Sequence, residues 1–131
     1  MDEHEAIWST LHRHLNAIYA GDVRAYEETT HPELTLYEWF VAPHRQEGLE
    51  FHRFMIEHRW ATEGGSWRYD LLEPRLQIYH ECAIASYTLL LSVVRQEGIE
   101  HRVINETRVL IHFPEGWRVV HVHKSPAGQA G

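Results

Sequence analysis

Cysteine is almost absent from this chain of 131 residues: Cys82 stands alone. One thiol closes no intramolecular disulfide and furnishes no four-thiolate zinc site, and it fits a reducing compartment. Basic side chains are also scarce, 12 against 19 acidic ones, for a net charge of -7. That balance repels phosphate backbones and anionic lipid, so neither nucleic acid nor a membrane surface is an expected partner. No stretch approaches the roughly 20 apolar residues of a membrane span. The opening Met-Asp-Glu-His-Glu has no basic patch followed by an apolar run, so no signal peptide is expected and the location reads as cytoplasmic. What remains is ordinary for one globular domain with a single core, at 44% hydrophobic and 24% charged. Residues 1–125 are expected to form that domain, and the small, polar residues 126–131 a flexible tail.

Helical periodicity comes first. Asp2 is placed to cap a helix whose apolar positions Ile7, Leu11, Leu15 and Ile18 share one face, and Gly21 follows as a stop. Asp22 caps a short second helix that must end before Pro32. Leu34 to Phe40 reads as a strand, with Thr35, Tyr37 and Trp39 on one side and Leu36, Glu38 and Phe40 on the other. Leu49 to about Trp60 suits a third helix, ended by Gly64 and Gly65. Strands are expected near 67–72, 75–79, 82–95, 99–113 and 117–124, so the chain reads as α+β, helices packed on one face of an antiparallel sheet. In Ala83 to Val94 both alternating sets are apolar or small, so neither face is written for water. If helices cover one face, a second subunit is expected on the other.

The strand from Val103 to Phe113 places Glu106 and Arg108 among apolar neighbours, and simple alternation puts Trp117, Val119, His121 and His123 together on the next. Such charges need partners or a ligand. Two readings stand side by side: structural ion pairs with backbone-bonded histidines, or a polar cavity. For proton transfer the candidates are Glu38, Asp70, Glu106 and His121. Twelve histidines are scattered along the chain, and with no zinc-helix spacing and no second cysteine neither a metal nor any other cofactor is expected. Gly-x-Ser-x-Gly is also missing, which leaves nucleophilic hydrolysis without support.

Several strings are more specific in combination: Gly21-Asp22 through Ala25-Tyr26 to Leu34-Thr35, Gly48-Leu49-Glu50-Phe51-His52-Arg53-Phe54, Glu106-Thr107-Arg108-Val109, Gly116-Trp117, and Val120-His121-Val122-His123-Lys124-Ser125. In order and spacing they resemble the association (hub) domain of calcium/calmodulin-dependent protein kinase II, within the wider nuclear transport factor 2-like group that includes SnoaL-like cyclases and ketosteroid isomerases. The resemblance implies a cone of helices over a curved sheet, pairing of subunits through their sheets into a homodimer or larger homo-oligomer, and no kinase activity of the domain's own. It also implies a pocket whose arginines hold a small carboxylate, with Arg53 and Arg108 matching two of them. Where hubs carry a third, this chain has Thr88 and Leu89. The expected ligand site is therefore Arg53 and Arg108 from opposite sides of the cavity, His121 or His123 beside them, and Tyr37, Trp39 and Tyr87 as walls. Trp39 and Phe40 are departures from the hub pattern expected to reshape the entrance. A SnoaL-like isomerase, cyclase or dehydratase is the alternative function.

Overall fold

A computed structural model describes residues 1–128. Helix α1, Glu3–Ala20, starts where the Asp2 carboxylate accepts the Glu5 N–H at 2.8 Å. It stops at Gly21, whose φ of 76° is the left-handed conformation that glycine adopts without a Cβ clash. Ile7, Leu11 and Leu15 are fully buried, each adding about 1.5–3 kcal/mol of apolar stabilisation. Asp22 caps α2, Val23–Thr29, by accepting the Ala25 N–H at 3.1 Å. Helix α3, Glu50–Glu57, is shorter than expected: the backbone turns away at Arg59, φ 50°, and reaches the sheet at Gly65. A Cβ at Gly65 would lie 2.6 Å from the Val94 carbonyl oxygen, so only glycine allows that approach.

Six strands form one sheet in the order β2-β1-β6-β5-β4-β3. They are β1 Thr30–Glu38, β2 Gln46–Glu47, β3 Trp67–Tyr79, β4 Cys82–Arg95, β5 Gly98–Phe113 and β6 Gly116–Pro126. The last four make an antiparallel meander, but β1 runs parallel to β6, a direction that alternation of side chains does not encode. Strand β1 includes Pro32, which cannot donate to a ladder, and its register with β6 shifts there, between Thr30 and Thr35. It ends at Glu38, so Trp39 and Phe40 lie in a turn instead of continuing the strand. The two runs expected at 67–72 and 75–79 are one strand, β3, bulged between Leu72 and Arg75. Pro126 belongs to β6 and the Ala127 N–H bonds to the Val103 carbonyl at 3.2 Å; the end of the expected tail, residues 129–131, lies outside the described residues.

A second bulge matters most. Val109 pairs with His121 while Leu110 pairs with Val119, so Val120 is an extra residue in β6. Alternation restarts after it. Trp117 and Val119 face the helices, then Val122 and Lys124 do, while His121 and His123 turn to the opposite face. The helices cover Ala83, Ala85, Tyr87, Leu89, Leu91 and Val93 of β4, all buried, and leave the outward set Ile84, Ser86, Thr88, Leu90 and Ser92 half-buried. Among the described residues no helix is long and apolar enough to cross a membrane.

Candidate functional site

The helix-covered face of the sheet carries four charged side chains in its core. Arg108, on β5, is fully buried; its Nη1 donates to the Tyr87 hydroxyl at 2.6 Å and to Glu106, and Tyr87 donates to Glu106 Oε1 at 2.8 Å. Burial acts to lower the Arg108 pKa, but the Tyr87 and Glu106 oxygens outweigh it and the guanidinium is held charged. Beside this pair, Glu38 on β1 faces Lys124 on β6 in register, and Nζ donates to Oε2 at 2.6 Å. Burial pushes the Glu38 carboxyl up, yet Lys124, His52 and Arg108 together pull it below its ordinary value. A carboxylate so held is a weak base near neutral pH.

Two buried histidines complete the cluster. His52 projects inward from α3, with Nδ1 2.5 Å from the Tyr26 hydroxyl and Nε2 3.8 Å from Glu38. Burial drives its pKa down to about 4, against the pull of Glu38 and with the help of Lys124 and Arg108. His14 on α1 meets Thr29 and Thr30 at 3.1 Å each and is held well below its ordinary value, by burial first and then by Arg108, His52 and Lys124. Both rings are neutral at pH 7. Nε and Nη2 of Arg108, Oε1 of Glu38 and Oε2 of Glu106 have no hydrogen-bond partner among the described residues.

Bordering the cluster at Lys124, a cavity of about 230 Å³ is walled by Ile18, Tyr19, Trp39, Phe40 and Trp60, with Lys124 as a polar point and Arg102 among its lining residues. The Lys124 ammonium lies 5.7 Å from the centre of the Phe40 ring, within cation–π range.

Three of the expected site residues gather here: Trp39 lines the cavity, and Tyr87 and Arg108 belong to the buried cluster, as do the acid–base candidates Glu38 and Glu106. The rest lie elsewhere. Arg53 stands on the outer face of α3, its side chain 44% exposed and 3.8 Å from Glu27, so two guanidiniums do not converge in the cavity. In α3 the inward residues are His52, Met55 and Ile56, whereas Phe51 and Phe54, which look like core, are exposed. Tyr37, His121 and His123 cluster on the outward face of the sheet, with the Tyr37 and His123 rings 4.9 Å apart, on the opposite face from Arg108. The displacement of His121 and His123 follows from the Val120 bulge, whereas Tyr37 faces outward by simple alternation with the buried Leu36 and Glu38. Asp70 lies on β3, bonded to Arg68 at 3.0 Å and away from the cluster. Lys124 and His52 were not anticipated as site residues. A signal existed for Lys124: Glu38 shares its strand face with Leu34 and Leu36, and a carboxylate among leucines demands a cation.

Comparison with known proteins places this geometry. The model of the calcium/calmodulin dependent protein kinase II association domain matches residues 3–128. The type II alpha chain of this kinase from Drosophila melanogaster is 27% identical over 117 residues, 88% of this chain and 22% of that protein. The chain thus spans about a fifth of the length of the curated relatives it matches. Among solved structures, the S. rosetta CaMKII hub superposes with a TM-score of 0.83 at 28% identity, covering 94% of this chain and 95% of the hub. A nuclear transport factor 2-like superfamily protein from Salmonella enterica, at 22% identity and TM-score 0.73, covers 97% of this chain and 92% of its own, and shares the fold. Matched over nearly its whole length and folded as the hub is, this chain belongs to the calcium/calmodulin dependent protein kinase II association domain family.

Proposed function

We propose that this chain is an association module: copies of it assemble through the outward face of the sheet, and the cavity of each copy takes a small carboxylate with an apolar body. The observation that carries the assembly is the outward set of β4 and β5. Ile84, Leu90, Val103 and Val109 alternate there with Ser86, Thr88, Asn105 and Thr107, a face with no carboxylate at these positions in a chain of net charge -7. Two such faces meet without like-charge repulsion. Sedimentation at micromolar concentration tests this: a particle of two or more times 15.5 kDa is expected, and a stable 15.5 kDa monomer overturns it.

Lys124 supports the ligand. Its ammonium has three donors and, among the described residues, one hydrogen-bond acceptor, Glu38, which leaves donors for a carboxylate while Trp39, Phe40 and Trp60 enclose the apolar body. Calorimetric titration with benzoate and acetate is the test. Benzoate is expected to bind more tightly than acetate and to lose affinity in Trp39→Ala; equal or absent binding of both removes the ligand. A SnoaL-like proton-transfer role for Glu38, Glu106 or His121 has less support, because both carboxylates are engaged by cations and His121 faces away. Residues 3–128 are accounted for by the association domain, so assembly rather than phosphoryl transfer is the activity proposed for them.

A further inference from the structure

The outward face of the sheet carries a feature that pairing alone does not require. His121 and His123 stand two residues apart on β6, ring centroids 6.5 Å from each other, at one end of a groove that crosses β5 and β4 to Glu73 on β3. In register, His123 sits beside Thr107 and Tyr37, and His121 beside Val109 and Thr35. The Thr35 hydroxyl contacts His121 Nδ1 at 2.8 Å, fixing the ring against the sheet.

From these positions we infer that the histidine pair makes the self-association of this chain pH-sensitive, the sheet-to-sheet contact with a second copy holding when His121 and His123 are neutral and weakening when both are protonated. The inference rests on the association proposed above and adds its regulation. The occupant is a second copy because the outward-facing positions between the two histidines and Glu73, namely Ser86, Thr88, Asn105 and Thr107, are uncharged and complementary to themselves, while Tyr87 and Glu106, which also border the groove, keep their side chains buried on the helix-covered face. Protonation changes that. Each copy then brings two adjacent positive charges to the contact, four in a pair, and burying unpaired like charges opposes association.

The charged and titratable groups around the pair are few. Tyr37 faces it from β1; Arg45, in the loop before β2, adds a positive charge near His121 and is itself 3.6 Å from Glu47. Across the groove β3 contributes Glu73 and Arg75, and at the far end of β5 His101 is bonded to Ser92 at 2.8 Å. The other titratable residues bordering the groove, Tyr87 on β4 and Glu106 on β5, turn their side chains to the helix-covered face, where they bond to each other and to Arg108. Burial, then His123 and Arg45, hold His121 below its ordinary range against the pull of Thr35, so the ring is neutral at pH 7. Charging it therefore needs acidification, within the span that histidine commands.

Sedimentation velocity at pH 7.5 and pH 5.5, on the wild-type chain and on His121→Gln/His123→Gln, decides the matter, with circular dichroism at both values confirming a folded chain. The wild type is expected to associate at pH 7.5 and to weaken by about tenfold or more at pH 5.5. The double variant should change by less than about threefold. His123→Gln alone, at an exposed position, is the second variant if the double one folds poorly, and it should show an intermediate shift. Wild type equally associated at both values overturns the inference and leaves the association intact. Loss of association at pH 5.5 in variant and wild type alike also overturns it, because another group is then responsible. A monomer at both values contradicts the association itself.

Discussion

Lys124 and Glu38 face each other across the parallel pairing of β6 with β1, Nζ to Oε2 at 2.6 Å, with both side chains buried. The contact exists because one extra residue, Val120, reverses the sidedness of the strand before Lys124 is reached. Removing one partner leaves an uncompensated charge in the core. Lys124→Met is expected to cost about 3–5 kcal/mol of unfolding free energy, and Lys124→Met/Glu38→Leu to recover most of it. Urea denaturation of the two variants measures both numbers, and a double variant no better than the single one refutes the pairing as the cause.

Arg108 and Arg53 should behave very differently. Arg108→Ala strands Glu106 in the core and is expected to cost about 3–5 kcal/mol. Arg53→Ala removes an exposed side chain 3.8 Å from an equally exposed Glu27 and should change stability by less than about 0.5 kcal/mol. Thermal or urea unfolding separates them.

What was legible in the sequence, and what was not, divides along the same physics. Helix α1 was legible because its cap, periodicity and glycine stop are all local: Asp2, Ile7 to Ile18 and Gly21 need no other part of the chain. In β4 alternation shows two apolar or small sets without saying which one the helices cover; packing puts Ala83, Ala85, Tyr87, Leu89, Leu91 and Val93 beneath them. The orientation of Arg53 was hidden, since Phe51 and Phe54 suggest a buried face that His52, Met55 and Ile56 in fact occupy. His121 and His123 were misplaced because alternation counts residues and a bulge adds one that only pairing with β5 reveals. Glu106 with Arg108 was legible as a pair in need of partners, and the structure closes that pair internally through Tyr87.

Stability should fall on mild acidification. His52, with a pKa pushed down to about 4, and His14, also lowered, are neutral in the fold but take protons near pH 6.5 when unfolded. The unfolded chain then binds more protons between about pH 6.5 and 4, so unfolding free energy drops as pH falls through that window, by about 1.4 kcal/mol per pH unit for each ring. Glu38, lowered in the fold, adds its own loss only below its unfolded value near 4.5. Urea midpoints at pH 7, 6 and 5, at a protein concentration that fixes the assembly state, give the slope. His52→Asn should reduce it by about one proton. A flat profile would mean that the rings take up protons in the fold as readily as in the unfolded chain.

Association through the outward sheet face is most directly tested by placing a charge in its middle. Thr88→Glu puts a carboxylate beside Asn105, opposite the same residue's surroundings in a second copy, without touching the helix-covered core. Phe54→Ser, on the exposed face of α3, is the control. Light scattering of the three chains at micromolar concentration is expected to give a mass of at least two copies for wild type and for Phe54→Ser, and a folded 15.5 kDa monomer for Thr88→Glu. A Thr88→Glu chain that keeps the wild-type mass would contradict the sheet face as the place where copies meet.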